Sequence, residues 1–241
     1  MYTSGLNTPE IDKELNLKRG IASHLLRKNN IKLRHRGTKS KIGNEDFFDI
    51  IDNEEKAYYL GWIIADGNIS ITKGQHSLKI HIALRDKEII DKFLMAIDSS
   101  NKTKIKQGEH PSYYVSLTSI HMCNALMKLG VVPRKSGKEV FPAQIPNELC
   151  HHLIRGIFDG DGITDIIGKR SGFVGSKNII DNILKNIDET NRTINQNKKN
   201  NDIYYFLGGK KFSRKLYDYM HGDAKVWLSR KRQRLEQVCF E

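Results

Sequence analysis

Two aspartates, Asp66 and Asp161, each occupy the eighth place of a nine-residue run ending in glycine. The runs are Tyr59-Leu60-Gly61-Trp62-Ile63-Ile64-Ala65-Asp66-Gly67 and Ile154-Arg155-Gly156-Ile157-Phe158-Asp159-Gly160-Asp161-Gly162. Small residues stand four apart in each, Gly61 with Ala65 and Gly156 with Gly160, so both members of a pair share one helix face. Such faces let two helix backbones approach closely. Packed side by side, the helices bring Asp66 and Asp161 together at C-terminal ends that already carry partial negative charge. A divalent cation resolves that repulsion, and magnesium prefers carboxylate and water oxygens. A cation held this way stabilises the attacking and leaving oxygens of a phosphodiester displacement. Gly67 and Gly162 are expected to end the helices in the left-handed conformation.

The elements that must hold these aspartates read as one unit written twice. The first copy has a helix from about Glu54 to Asp66, strands at 68–72 and 77–84 around a turn at Lys73-Gly74, and a helix from Asp86 to about Ile97. Strands at 102–107 and 113–117 follow, then a helix over 119–129 closed by Gly130, with Pro133 beyond. The second copy predicts a helix over 147–161, strands at 163–167 and 172–175 and a helix over 177–187. It ends with strands at 192–196 and 203–207 and a helix over 211–220. Asp161 stands 95 residues after Asp66, and Lys231 stands 96 after Lys135, so landmarks keep pace through both copies.

Both nonapeptides resemble the motif of the LAGLIDADG homing endonucleases, and the likeness spans roughly residues 45–235. The resemblance implies an α+β fold of two αββαββα halves related by a pseudo-twofold axis, whose antiparallel sheets form a saddle over duplex DNA. It also implies Mg²⁺-dependent hydrolysis, with Mn²⁺ as a substitute, of one phosphodiester per strand at a long, non-palindromic site by a monomer. Asp66 and Asp161 take the metal-binding place, with Ala65 and Gly160 beside it. The first motif departs from the pattern at its sixth position, where Ile64 stands opposite Asp159. Asp159 is expected to be solvated or to stand behind the metal. Leu129–Ser136 and Asp223–Lys231 look like the segments that close each repeat, and they imply Lys135 and Lys231 as catalytic cations, with Lys138 and Lys225 as competitors. The same family includes RNA maturases that bind group I introns, and a non-cleaving regulator on the same fold is a further alternative. Retention of both aspartates disfavours the regulator. Duplex DNA and intron RNA are the partners in view.

Alternation supplies the binding surface. Ile69, Ile71, Leu78, Ile80 and Ile82 fall on one face, leaving Asn68, Ser70, Thr72, Ser77, Lys79 and His81 outward, where they can meet base edges in a major groove. Lys102, Lys104 and Lys106 suit phosphates, and Lys169 and Arg170 occupy the matching hairpin tip in the second copy. Ahead of the repeats, residues 1–44 read as a basic extension and linker. A helix from Thr8 to about Leu15, a turn and a second helix from Lys18 to about Asn29 resemble the later half of a helix-turn-helix, with Lys18, Arg19, Ser23, His24, Arg27 and Lys28 as candidate contacts. The domains expected are thus 1–44, 45–146 and 147–241.

Composition agrees with a polyanion partner: 40 Lys plus Arg against 28 Asp plus Glu gives +12. No apolar run is long enough to span a membrane, and the polar start at Met1–Glu10 has no secretory pattern. Cys123, Cys150 and Cys239 are odd in number and far apart, which suggests neither a disulfide framework nor a zinc knuckle. An intracellular setting is expected: a bacterial or phage-infected cytoplasm, or an organelle, as the Lys, Asn and Ile bias of AT-rich coding suggests. An intein embedding is not expected, because Phe240-Glu241 is not a splice junction. Cys150, His151 and His152 read as residues that start a helix.

Overall fold

The computed structural model describes residues 1–2, 6–31, 33, 41–133 and 137–241, in two units, Met1–Lys39 and Ser40–Glu241. In the first unit, α1 (Thr8–Glu14) starts at Asn7, whose side chain forms a reciprocal capping box with Glu10. α2 (Ile21–Lys28) begins three residues later than the sequence suggested. Gly20 takes φ +96°, which a helix interior excludes. The buried Asp12 carboxylate then accepts from the Gly20 and Ala22 amides, both at 2.7 Å. Lys18 and Arg19 therefore lie in the turn. With Arg27 and Lys28 they are exposed.

In the second unit, α3 (Glu54–Asp66) is capped by the Asn53 side chain and carries Glu54 and Glu55 in its first turn. It passes directly into β1 (Gly67–Thr72), and Lys73 and Gly74, both at positive φ, turn the chain into β2 (Gln75–Ala83). Then come α4 (Lys87–Ala96), β3 (Lys104–Lys106), β4 (Ser112–Thr118) and α5 (Ile120–Lys128). The second repeat follows the same order: α6 (Cys150–Asp161), β5 (Gly162–Asp165), β6 (Arg170–Gly175), α7 (Lys177–Asn186), β7 (Asn195–Gln196), β8 (Tyr204–Gly209) and α8 (Lys210–His221). A last helix, α9 (Ser229–Phe240), has no counterpart in the sequence reading. Its apolar positions are few among charges, and that thin pattern hid it. Residues 41–44, read as linker, pack on the main unit: Ile42 bridges Ser99, and the Gly43 amide donates to the Asp98 carbonyl at 2.8 Å.

The sheets have equivalent orders, β1-β2-β4-β3 and β5-β6-β8-β7, and are antiparallel throughout. Each turns one face to the helices. Ile69, Leu78, Ile80, Val115 and Leu117 line it in the first sheet, Phe173 and Phe206 in the second, and all are buried. Ile71, assigned to that face by alternation, is 49% exposed because the hairpin tip extends past the helices.

α3 and α6 form the centre. A Cβ built on Gly61 would come within 2.0 Å of the Leu153 carbonyl oxygen, and one on Gly156 within 2.0 Å of that of Tyr58. The contact is reciprocal at the 95-residue offset of the repeats, and the two helices run parallel. Gly67 and Gly162 correct the expectation of left-handed caps: their φ values are −79° and −70°, in extended backbone. Glycine is required there because a Cβ would meet the Ile63 oxygen at 2.7 Å and the Phe158 oxygen at 2.4 Å as helix turns into strand. Gly156→Ala is expected to destabilise the fold by about 3 kcal/mol through overpacking against backbone. Gly209→Ala, with no heavy atom within 4 Å of its Cβ but at the N-cap of α8, should cost about 1 kcal/mol or less; urea denaturation of the pair provides the comparison.

Candidate active site

The parallel register of α3 and α6 places Asp66 and Asp161 at the same end of the pair, each in the last position of its helix. Both are half-buried, as are Ala65 and Gly160. A Cβ on Gly160 would lie 2.3 Å from Ala65 Cβ and 3.2 Å from Asp66 Oδ2, so the Asp66 carboxylate sits against the opposite helix at its small-residue position.

Lys231, at the start of α9, is only 8% exposed, and its ammonium donates to the Gly160 carbonyl at 3.4 Å and to that of Gly162. A cation at a helix C-terminus is favoured by the carbonyls there. Burial holds the Lys231 pKa below the usual lysine value, while Asp159, Asp66 and Asp161 pull it back up. One lysine thus senses the carboxylates of both motifs. Next to it Arg230 pairs with Asp86 through two hydrogen bonds of 2.7 Å. Of the competing lysines, Lys138 and Lys225 are exposed. Lys135 lies outside the described residues.

A buried network that the sequence did not reveal fixes this position. Asp159 Oδ2 accepts from the Tyr58 hydroxyl at 2.5 Å and from the Leu228 amide at 2.7 Å. At 3% exposure it is not solvated, the first of the two placements expected for it; it pins the segment leading into α9. Burial pushes its carboxyl up to about 6, against the opposing pull of those donors and of Lys231 and Arg155. Arg155, fully buried, donates to the Val226 carbonyl at 2.8 Å, the Met220 carbonyl at 2.7 Å and Glu54 at 2.6 Å. Glu54 in turn accepts from the Lys225 and Val226 amides. An arginine inside an apolar run was the available signal, since it must find partners there.

The oxygen donors of Asp66 and Asp161, with the backbone carbonyls that end α6 close by, suit a hard divalent cation such as Mg²⁺ or Mn²⁺. Two other clusters do not make a better metal site. His151 and His152 open α6 as expected, and the fold adds Asp223, 3.0 Å from His151 Nε2. However, His152 Nδ1 lies 2.9 Å from Arg155 Nη1. A guanidinium can only donate, so the ring proton belongs on Nε2, the atom a metal would need bare. Burial and then the Arg155 charge push His152 down to about 4. At the surface, His121 Nε2 lies 2.9 Å from both Asp49 carboxylate oxygens, whose hydrogen bonding raises its pKa; a carboxylate only accepts, so that nitrogen carries a proton rather than a bare lone pair.

The expected outward row of the first sheet is in place: Asn68, Thr72, Lys79 and His81 are exposed, and Ser70 and Ser77 half-buried. Lys104 and Lys106 extend it on β3, and Lys102 is exposed just before. β4 adds Tyr114, Ser116 and Thr118, which the same two-residue alternation would have found; Tyr114 stacks on His81 with ring centroids 5.5 Å apart. In the second repeat Lys169 donates to the Glu241 carbonyl, and Arg170 is paired with Asp165 at 2.6 Å.

Compared by sequence, the chain matches no family model and no curated protein. As folds, solved structures resemble it. One is a set of mesophilic variants of the homing endonuclease I-DmoI, with TM-score 0.50 and 15% identity over 70% of this chain and 95% of that one. Another is the meganuclease I-SmaMI bound to uncleavable DNA, with TM-score 0.52 and 10% identity over 75% and 88%. A third is the I-SmaMI LAGLIDADG homing endonuclease bound to cleaved DNA, with TM-score 0.51 and 11% identity over 78% and 88%. The chain is a duplicated α+β protein with two four-stranded antiparallel sheets on a central helix pair. Its fold is that of the LAGLIDADG homing endonucleases.

A pH effect follows from the ring next to this network. His221 is 8% exposed, and neither ring nitrogen has a hydrogen-bond partner among the described residues. Burial, with the Arg155 and Arg232 charges, holds its pKa down to about 3. Unfolded, the ring binds a proton near the usual value of about 6.5. Its contribution to stability is thus present above pH 6.5 and is lost as pH falls toward 3, by about 1.4 kcal/mol per pH unit. His152 adds a second loss that ends near pH 4. Asp159, raised to about 6, works in the opposite sense over the same range, so the parent's net loss is smaller than the two histidines alone would give. In urea midpoints measured between pH 6 and pH 4.5, His221→Leu should lose less stability than the parent, by up to about 1.4 kcal/mol per pH unit, and an unchanged slope would contradict the assignment of a neutral buried ring.

Proposed function

We propose that this protein is a site-specific double-stranded DNA endonuclease of the homing type. It acts as a monomer at a long, non-palindromic site and uses a divalent cation, Mg²⁺ or Mn²⁺, held by Asp66 and Asp161 beside Ala65 and Gly160. The observation that carries the proposal is the buried Lys231 ammonium on the carbonyls that end α6, within electrostatic reach of both aspartates. A pure binding protein has no use for two carboxylates at a phosphate-facing helix end, because they repel the ligand. When bound, the cation supplies charge neutralisation for the phosphoryl group and its leaving oxygen.

The residues of the chain do the rest. Lys231 is fixed where negative charge grows on the phosphoryl oxygens, so its stabilisation needs no rearrangement at the moment of reaction. Lys135 is its proposed counterpart in the first repeat. Asp66 and Asp161 come from different repeats, one for each strand, and water is the nucleophile. The outward row Asn68, Ser70, Thr72, Ser77, Lys79 and His81 meets base edges, while Lys102, Lys104, Lys106, Lys169 and Arg170 meet phosphates. The fold likeness to nucleases solved on DNA supports this reading. No helix among the described residues is long and apolar enough to cross a membrane.

The test uses a plasmid carrying the uninterrupted insertion context of the gene, incubated with Mg²⁺ or with chelator. Linearisation is expected with Mg²⁺ only, and Asp66→Asn, Asp161→Asn and Lys231→Met should each slow it by about 100-fold or more while the plasmid is still bound. Tight binding without cleavage by the parent protein in Mg²⁺ or Mn²⁺ would overturn the nuclease reading; preferential retention of intron RNA would then favour a maturase. Deletion of residues 1–39 should lower the salt slope of DNA affinity by up to about 3 to 4 if Lys18, Arg19, Arg27 and Lys28 each meet a phosphate. An unchanged slope would show that the extension makes no such contact.

A further inference from the structure

The two sheets share a topology but not a surface. The row following the first motif runs Asn68–Lys79–Ser116 across β1, β2 and β4. Its matched row in the second repeat runs Ile163–Gly172–Leu207 across β5, β6 and β8, and next to it lie Val174, Tyr205 and Asn195. These residues alternate with Phe173 and Phe206, which are fully buried against the helices, so they occupy the opposite, outward face. Where the first sheet offers an amide, an ammonium and a hydroxyl, the second offers branched aliphatic side chains and one aromatic. Ile163, Val174, Tyr205 and Leu207 are only partly buried there. Gly172 leaves the middle of the row without a side chain, and a Cβ would come within 1.9 Å of the Phe206 oxygen.

A groove of about 910 Å³ continues from this face at the β8 edge, lined by Tyr205, Leu207, Asn191 and Asn195 together with a balanced set of charges, Arg170 and Arg192 against Asp188 and Glu189, in which Arg192 pairs with Glu189 at 2.9 Å and Arg170 with Asp165 at 2.6 Å. Apolar surface left facing outward marks a contact site, and the amides beside it suit a partner that presents small apolar groups next to hydrogen-bonding edges. The major-groove edge of a thymine·adenine pair on the duplex proposed above has both features: a 5-methyl on thymine and an N6/N7 pair on adenine that an Asn amide can match. We propose that the second sheet reads its half of the target through thymine 5-methyl groups, while the first sheet reads its half through hydrogen bonds. This rests on the endonuclease reading above, and it names the base chemistry of one half-site.

The experiment starts from a random-sequence duplex library and the full chain. All three cysteines are buried, so Ile71→Cys and Ile167→Cys, on exposed hairpin tips of the first and second sheets, can each carry an iron chelate that cleaves nearby DNA and so identifies the half each sheet contacts. Selected duplexes are then remade with deoxyuridine for thymidine in one half at a time, which removes only the methyl. Affinity is expected to drop about fourfold per contacted methyl in the half cleaved from position 167, and to change less than about twofold in the other half. Val174→Thr should reduce the deoxyuridine penalty at the thymine it meets. Equal losses in both halves, or none in either, overturn the proposal while leaving the nuclease reading intact. Failure to retain any duplex overturns both.

Discussion

Everything in this molecule is referred to the contact between Gly61 and Gly156. Two helix backbones so close that a single methyl would strike a carbonyl oxygen can adopt one register and one separation. Because each helix passes without a loop into the first strand of its sheet, that contact also determines where both sheets begin. The same constraint brings two carboxylates and two sets of helix-terminal carbonyls to one end, an arrangement that costs free energy unless cations answer it. Lys231 is one such cation, and it is placed on the carbonyls.

Its placement depends on charges buried well inside the protein. Arg155 and Glu54 come from different repeats, and Arg155 also holds two carbonyls of the chain running from α8 toward α9. Buried ion pairs add little net stability against apolar replacements of the same shape, whereas losing one partner is expensive. The pair is therefore best understood through what it specifies: a single path for residues 220–228 across the helix pair. Asp159 completes that path by accepting the Leu228 amide three residues before Lys231. In the first motif the matching position is Ile64, 2% exposed and without a carboxylate, so the repeats share a fold but not this way of placing a cation.

Legibility in the sequence followed the strength of the local pattern. The duplicated order of elements was readable because two-residue and 3.6-residue periodicities alternate clearly, and the Lys73-Gly74 turn because two consecutive positive φ angles suit a short hairpin. An Asp-Gly at a helix end suggests a conformational requirement, whereas Gly67 and Gly162 answer a steric one, the carbonyl four residues back. α9 leaves little trace in the sequence because it is short of apolar residues and gains its stability from tertiary contacts. The Asp159–Arg155 network was invisible for a deeper reason. Partners 65 to 101 residues apart leave no periodic trace, and only the unusual burial of an arginine hints at them.

The asymmetry between repeats has a physical logic. A symmetric pair of sheets would favour a palindromic site, since equal surfaces bind equal sequences. Duplication within one chain releases each half to change its surface provided that the helix contact persists, and the changes here fall on outward rows remote from Gly61 and Gly156. The first sheet carries polar and basic groups at the row next to its aspartate, where the second carries Ile163 and Leu207. Such a difference is tolerated because outward positions contribute little to folding. On the proposed endonuclease reading it bears on recognition, because hydrogen-bonding and apolar side chains distinguish different base pairs in the major groove. The rigid centre and the divergent faces are thus two consequences of one constraint: the helix pair carries the fold, and the outward rows are left free to specify the ligand.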